Sequence, residues 1–108
     1  MARQITPAAL AKALASGETP LLIDVRQPWE NQLANLPGSL LIPLGDLPQR
    51  SHEIGTNFSV LLIVYCHHGV RSLSAAAYLE RLGYNNVHSL AGGIDAWSCE
   101  VDARVPRY

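Results

Sequence analysis

The stretch VLLIVYCHHGVRS, residues 60–72, joins an apolar strand to a helix through a short loop that carries a cysteine. Residues 60–65 are a continuous run of aliphatic and aromatic side chains, which is typical of a strand buried on both faces of a parallel sheet. The loop contains only residues 66–71, so the chain must turn tightly there. Cys66 is the first residue of this turn.

The residues after the loop have the spacing of a helix. Ala75, Leu79 and Leu82 form one apolar stripe, and the helix ends at Gly83. Ser72 is predicted chiefly as the N-cap of this helix, with donation of its hydroxyl to the cysteine sulfur as the alternative role.

The tight loop predicts a binding site for an anion beside the cysteine. A turn before a helix directs backbone N–H groups inward, and the helix N-terminus adds its own free N–H groups and dipole. These donors and the guanidinium of Arg71 favour a negatively charged sulfur, so we predict that Cys66 is a nucleophile rather than a buried structural cysteine. Gly69 is expected to supply a backbone angle that a side chain would disfavour.

Length and composition limit the class of protein. The 108 residues are 48% hydrophobic and 16% charged, which predicts one globular domain spanning residues 1–108. A net charge of −1 gives no basic face for nucleic acid or a membrane surface, and no apolar run is long enough to span a bilayer. With no apolar signal segment and two cysteines that need not pair, the expected location is the reducing cytoplasm.

Apolar runs and turn residues predict alternating helices and strands. Strands are expected at residues 21–25, 39–42, 60–65 and 87–90, and helices at residues 7–15, 28–33, 48–53, 73–83 and 94–98. The first helix buries Leu10 and Leu14, and the residues before Thr6 lead directly into it. No periodicity is evident after residue 98. The pattern predicts an α/β fold with a central, mostly parallel sheet and helices on both faces.

The expected sheet brings separate polar segments together. In parallel sheets, ligands bind at the carboxyl ends of the strands. Those ends carry Asp24 to Arg26, Pro43, Cys66 and the turn Gly92-Gly93. These segments are therefore predicted to meet on one edge of the sheet.

Several separated motifs together resemble the single-domain rhodanese family. They are DVR at 24–26, WE at 29–30, LPGS at 36–39, IPL at 42–44, YCHHGVRS at 65–72, LGY at 82–84 and LAGGIDAW at 90–97. This resemblance covers nearly the whole chain and implies a rhodanese-like fold. Asn35 departs from the family pattern, in which histidine is common at that position, and the change leaves the expected catalytic residues untouched.

The resemblance implies a thiosulfate sulfurtransferase that needs no cofactor. Cys66 would take the outer sulfur of thiosulfate as a persulfide, and cyanide or a thiol would then remove it. The anion-binding loop would comprise His67, His68, Gly69, Val70, Arg71 and Ser72. The sulfur acceptor is either a small molecule or a protein thiol, and the sequence does not separate these two.

Two other classes of protein share parts of this pattern, namely cysteine-dependent phosphatases or arsenate reductases and rhodanese modules without catalytic activity. Cysteine-dependent phosphatases and arsenate reductases of similar architecture have five residues between cysteine and arginine, whereas four separate Cys66 from Arg71 here. A shorter loop favours a sulfur atom over a tetrahedral oxyanion. Rhodanese modules without catalytic activity typically lack the cysteine, which this chain retains.

The two loop histidines suggest a role in donor binding. Three consecutive residues, Cys66 to His68, cannot easily converge on one metal ion, so no metal site is predicted. Partly protonated His67 or His68 would attract thiosulfate, and plain solvent exposure is the alternative.

A second group of residues is predicted to support the loop. Arg26 and Glu30 are expected to pair with each other, while Asp24 anchors neighbouring loops through hydrogen bonds. Cys99 is interpreted as a bystander, and resolution of the persulfide into a disulfide is its alternative role. The remaining aromatic residues are assigned to packing: Trp29 and Trp97 in the core or at the rim, and Tyr65 either in the core or along the pocket.

Overall fold

A computed structural model describes residues 3–108 and contains a five-stranded sheet. The strands are β1 (Arg3–Ile5), β2 (Leu21–Asp24), β3 (Leu40–Leu41), β4 (Leu62–Tyr65) and β5 (Val87–Leu90). They lie in the order β1-β5-β4-β2-β3, and every neighbouring pair is parallel. The strand that precedes Cys66 is therefore central.

Five α-helices surround this sheet. They are α1 (Pro7–Ala15), α2 (Pro28–Leu33), α3 (Leu47–Arg50), α4 (Val70–Arg81) and α5 (Gly93–Glu100). Two short 3-10 turns, Leu44–Asp46 and Ser51–Ile54, flank α3. Helices α1 and α5 pack on one face of the sheet, and α3 and α4 pack on the other. This arrangement confirms the predicted α/β architecture with helices on both faces.

Alternating side chains of β4 supply the centre of both cores. Leu62 and Val64 belong to the cluster beneath α3 and α4, whereas Ile63 and Tyr65 belong to the cluster beneath α1 and α5. All four are fully buried. A strand that is buried on both faces needs an unbroken apolar run, which is why the sequence reveals β4 so clearly.

The first strand was not predicted. Residues 3–5, which directly precede the N-cap Thr6 of α1, pair in parallel with β5, with Arg3 opposite His88 and Ile5 opposite Leu90. Three residues with one apolar side chain are too short for a periodic signal, and only the neighbouring strand defines them. Residues 1 and 2 of the predicted domain lie outside the described range.

The apolar stripes of two helices end earlier than predicted. In α1 the buried positions are Pro7 and Leu10, while Leu14 is 39% exposed. In α4 the stripe ends at Leu79, and Leu82 is 41% exposed. Leu82 lies past the last helical residue, where Gly83 adopts a positive φ of 113° and turns the chain.

Most predicted boundaries agree with the structure to within one or two residues. The helix predicted at 48–53 is divided between α3 and the following 3-10 turn, and α5 extends to Glu100. The tail after α5 forms turns, and Val105 and Tyr108 pack against the core beneath α1 and α5. Among residues 3–108, no helix is both long enough and apolar enough to cross a bilayer.

Candidate active site

Cys66 follows β4 directly, and its sulfur lies in the turn before α4. The residue is only 1% exposed. The backbone N–H of Gly69 donates to Sγ at 3.1 Å, and that of Ser72 donates at 3.4 Å. Gly69 has a φ of 102°, which confirms that this turn requires a conformation that glycine adopts readily. The sulfur is thus held by the amides of the turn, as the loop length predicted.

Ser72 does not cap α4. The helix begins at Val70, whose side chain is exposed, and Gly69 occupies the N-cap position. The buried Ser72 hydroxyl donates to the Gly69 carbonyl at 3.2 Å, lies 3.5 Å from Cys66 Sγ and is 2.7 Å from the hydroxyl of Ser89 in β5. At this contact the thiol donates to the Ser72 hydroxyl, so the structure shows neither the predicted N-cap nor donation from the hydroxyl to the sulfur. Ser89 gave no sequence signal.

The N-terminus of α5 is hydrogen-bonded to the backbone of the cysteine loop. Ile94 N–H donates to the Cys66 carbonyl at 2.9 Å, and Asp95 N–H donates to the His67 carbonyl at 3.1 Å. A Cβ on Gly93 would lie less than 3.0 Å from both of these carbonyl oxygens. The sequence predicted that this turn and Cys66 meet on one edge of the sheet, and the structure adds the hydrogen bonds that join them.

The predicted pairing of Arg26 with Glu30 is wrong. Arg26 is fully buried and pairs with Asp24, with Nε to Oδ1 and Nη2 to Oδ2 both at 2.9 Å. It reaches only the main-chain carbonyl of Glu30, at 3.3 Å. Asp24 also accepts hydrogen bonds from the Arg26 amide and the Asn31 side chain, each at 2.9 Å, and so anchors the neighbouring segments as expected.

Glu30 instead holds the arginine of the cysteine loop. Its carboxylate accepts two hydrogen bonds from the Arg71 guanidinium, at 2.7 and 2.9 Å. This pairing lowers the pKa of Glu30 to about 2 and raises the pKa of Arg71. The network contains two arginines and two carboxylates, so Arg71 adds no uncompensated charge while it is paired with Glu30.

The two histidines differ in their surroundings. The ring of His67 is stacked between His68 and Tyr108, with centroid distances of 3.9 and 3.8 Å. Burial, with a contribution from His68, lowers the pKa of His67, which disfavours the cationic form that was expected to attract thiosulfate. The His68 side chain is 63% exposed, and its Nδ1 lies 3.9 Å from Asp95 Oδ2.

Tyr108 is a site residue that the sequence did not reveal. Its hydroxyl donates to Glu30 Oε2 at 2.6 Å and accepts a hydrogen bond from Arg26 Nη1 at 2.9 Å. Trp29, which is 59% exposed, meets its ring edge-on at a centroid distance of 6.0 Å. The side chain thus joins the loop to the charged network. No periodicity in the tail indicates this position.

The other predicted residues lie away from the sulfur. Tyr65 is fully buried, and its hydroxyl binds Leu36 N–H at 3.1 Å and Ser39 Oγ at 2.8 Å, which agrees with its interpretation as a core residue. Trp97 is also in the core, and Cys99 is an exposed free thiol. Within residues 3–108, no cluster of three or more His, Cys, Asp or Glu side chains is arranged to hold a metal ion.

Replacing Glu30 with glutamine is expected to make stability less dependent on pH in acid. The folded pKa of about 2, against 4.5 for a free glutamate, corresponds to about 3 kcal/mol of stabilisation by the ionised form. A lowered pKa stabilises the fold above about pH 4.5, and this contribution is lost as the pH falls toward 2. Urea unfolding of the wild type and Glu30→Gln between pH 7 and pH 2 measures this contribution to the free energy of unfolding.

The expected difference between wild type and Glu30→Gln is largest at neutral pH and shrinks in acid. Glu18→Gln is the matched control, because Glu18 is exposed and its side chain makes no hydrogen bond within the described residues. A difference between wild type and Glu30→Gln that stays constant down to pH 2 would contradict the role assigned to the Glu30 carboxylate.

Comparisons with known proteins identify the family of this chain. The family model described as the rhodanese-like domain matches residues 6–100. A protein of Allochromatium vinosum named sulfurtransferase is 39% identical, over 91% of this chain and 90% of its own length. The thiosulfate sulfurtransferase GlpE of Pseudoalteromonas translucida is 31% identical, over 87% of this chain and 88% of its own.

The fold comparison leads to the same family. The crystal structure of a rhodanese-like domain protein from Staphylococcus aureus superposes with a TM-score of 0.83 at 26% identity and covers 98% of both chains. Several other curated relatives are longer, and the chain spans between 24% and 64% of their length. With its parallel sheet and its cysteine loop, the chain belongs to the rhodanese-like sulfurtransferase family.

Proposed function

We propose that this protein transfers the outer sulfur atom of thiosulfate to a thiophilic acceptor through a persulfide on Cys66. The observation that carries the proposal is the position of Cys66 Sγ, which accepts hydrogen bonds from the amides of Gly69 and Ser72 in the turn before α4. Amide donors directed at a sulfur stabilise its anionic form and hence the nucleophile.

In the first half-reaction, the Cys66 thiolate attacks the outer sulfur of thiosulfate. A sulfur–sulfur bond forms to Sγ, and the bond to the sulfonate group breaks. Sulfite leaves with the electron pair of that bond, and the enzyme retains a negatively charged persulfide. No net oxidant or proton donor is needed, so the step requires neither a metal nor a cofactor.

In the second half-reaction, an acceptor removes the outer sulfur of the persulfide. Cyanide becomes thiocyanate, or a thiolate becomes a persulfide, and the Cys66 thiolate is restored. The persulfide carries its charge beyond Sγ, and the same loop contains the amides of His67, His68, Val70 and Arg71. None of these four amides has a hydrogen-bond partner within the described residues. They are therefore free to stabilise the outer sulfur.

The remaining site residues are assigned roles around this sulfur. Arg71 binds the anionic donor, and the hydroxyl of Ser72 lies beside Sγ. Asp24, Arg26 and Glu30 are structural supports, since the first two are buried as an ion pair and Glu30 is hydrogen-bonded to Arg71. His67 is proposed to line the loop as an uncharged ring packed between His68 and Tyr108.

The geometry favours sulfur over phosphate chemistry. Four residues lie between Cys66 and Arg71, and the amides of Gly69 and Ser72 are already bonded to Sγ. A tetrahedral phosphate needs several convergent amides for its oxygens, whereas a single added sulfur atom needs fewer. The name of the 31% identical relative, a thiosulfate sulfurtransferase, supports thiosulfate as the donor. A small thiol and a protein thiol are chemically equivalent as acceptors here.

The first test is the intact mass of the protein after incubation with thiosulfate. The expected result is the gain of one sulfur atom, located on Cys66 by mapping of fragments, with release of an equal amount of sulfite. Addition of cyanide should then remove the atom and produce thiocyanate. A protein that gains no sulfur, or gains it only on Cys99, would contradict the proposal. Comparing cyanide, a small thiol and a cysteine-containing peptide as acceptors then identifies the preferred class.

A further inference from the structure

The hydroxyl of Tyr108 is placed between two opposite charges of the site. It donates to Glu30 Oε2 and accepts from Arg26 Nη1, while its ring is stacked on His67. The tail that carries it is anchored to α5, since Ser98 Oγ donates to the Val105 carbonyl at 2.6 Å. Arg107 also pairs with Asp95 at 2.8 Å.

The Glu30 carboxylate receives four hydrogen bonds, two on each oxygen. Oε1 accepts from Arg71 Nη1 at 2.7 Å and from the Gln27 amide at 3.1 Å. Oε2 accepts from Arg71 Nη2 at 2.9 Å and from Tyr108 at 2.6 Å. If Arg71 moved away, each oxygen would keep one donor.

Arg71 is free to make such a movement, whereas Arg26 is not. The Arg71 side chain is 35% exposed, and Glu30 is the one hydrogen-bond partner of its guanidinium among residues 3–108. Arg26 is fully buried and bonded to Asp24, to two carbonyls and to Tyr108. The Glu30 side chain is only 4% exposed, so water cannot replace the hydrogen bonds that it loses when Arg71 leaves. The free energy needed to separate Arg71 from Glu30 therefore depends on the hydrogen bonds that Glu30 keeps.

We propose that Tyr108 is a positioning residue that keeps the buried Glu30 carboxylate hydrogen-bonded when Arg71 turns to an anionic sulfur donor. The inference rests on the proposed role of Arg71 in donor binding. Without the Tyr108 hydroxyl, Oε2 would be left with no donor once Arg71 departs, so Arg71 would stay bound to Glu30. Burial and Glu30 raise the pKa of Tyr108 to about 12, so its hydroxyl keeps its proton at neutral pH.

Two alkylating agents test this role without any sulfur transfer. Iodoacetate and iodoacetamide present the same reactive carbon to a thiolate, but only iodoacetate is an anion that a free Arg71 attracts. The ratio of their rates of reaction with Cys66 therefore reports the availability of Arg71. All variants carry Cys99→Ser, because Cys99 is an exposed thiol that would react as well.

Tyr108→Phe keeps the ring on His67 and removes only the hydroxyl. We expect the ratio of iodoacetate to iodoacetamide rates to fall about 3- to 10-fold, the size of the net contribution of one ordinary hydrogen bond. With thiosulfate, KM should rise by a similar factor while kcat changes less than about twofold. Tyr65→Phe is the matched control: it also removes a buried, hydrogen-bonded hydroxyl, but one that contacts neither Glu30 nor Arg71. In Tyr65→Phe the ratio of iodoacetate to iodoacetamide rates should not change.

A second substitution determines whether Tyr108 acts through Glu30. In a Glu30→Gln background the Tyr108→Phe effect should disappear, since no carboxylate remains to compete for Arg71. An unchanged or higher ratio in Tyr108→Phe, an equal fall in Tyr65→Phe, or an effect that persists with Gln at position 30 would each overturn the inference. If the expected ratios are found but thiosulfate adds no sulfur to the parent protein, the role of Tyr108 stands and the proposed donor is wrong.

Discussion

Cys66→Ser is expected to lower kcat/KM for the transfer of sulfur from thiosulfate to cyanide by roughly 10³-fold or more. A serine hydroxyl is protonated at neutral pH and is a poor nucleophile toward sulfur, so no covalent intermediate forms. The amides of Gly69 and Ser72 would still find an oxygen acceptor at this position, although it is smaller than sulfur. The fold should therefore persist, with a loss of about 1 kcal/mol in the free energy of unfolding. Steady-state kinetics and urea unfolding measure the two effects.

Cys99→Ser is the matched control for this substitution. Cys99 is exposed on α5 and makes no side-chain hydrogen bond within the described residues, so its replacement should leave turnover within about twofold of wild type. Residual activity of Cys66→Ser above one tenth of wild type, or a comparable loss in Cys99→Ser, would show that the nucleophile has been assigned to the wrong residue.

The strand–loop–helix unit could be predicted because each of its signals is local. The apolar run of β4 exists only because both faces of the strand are buried. The positive φ of Gly69 and the buried positions Ala75 and Leu79 are likewise indicated by the sequence directly after this strand. Cys66 could be placed at the end of this strand without knowledge of any other part of the fold.

The charged network could not be predicted in the same way. The end of β2 and the helix α2 offer two carboxylates, Asp24 and Glu30, to two arginines, and sequence separation does not determine the pairs. Arg26 selects Asp24 because its guanidinium and its own amide can both bind that carboxylate. Glu30 is then left for Arg71, which is 41 residues away along the chain.

The remaining parts of the site depend on tertiary contacts with no local pattern. Tyr108 meets Glu30 across 78 residues, and Ser72 meets Ser89 across 17. The surroundings of His67 depend on such a contact as well, because the ring of Tyr108 covers it and burial disfavours its protonated form. A role of His68 in donor binding stays a prediction. Sequence reasoning placed Cys66, the proposed nucleophile, at the end of β4 as the structure has it, but it could not identify what covers the loop that follows.

The contact between α5 and the cysteine loop leads to the second large expected effect. In Gly93→Ala, the new Cβ would lie less than 3.0 Å from the carbonyl oxygens of Cys66 and His67, which are backbone atoms of the loop. Gly93 also has a φ of 64°, a conformation that alanine disfavours. We expect a loss of about 2–4 kcal/mol in the free energy of unfolding, because neither the loop nor the helix can move without breaking the hydrogen bonds that join them.

Activity should fall together with stability in Gly93→Ala. Displacement of the loop by a fraction of an ångström changes the amide geometry around Sγ, and such misplacement of reacting groups can lower kcat/KM by about 10²-fold. Gly17→Ala is the matched control, since Gly17 has a positive φ of 91° but no atom within 4 Å of a new Cβ. That variant retains the backbone strain without the contact and should keep wild-type kcat/KM. Equal losses of stability and of kcat/KM in the two variants would mean that Gly93 matters only for its backbone angle. A selective loss of kcat/KM in Gly93→Ala would instead show that α5 fixes the geometry in which Cys66 reacts.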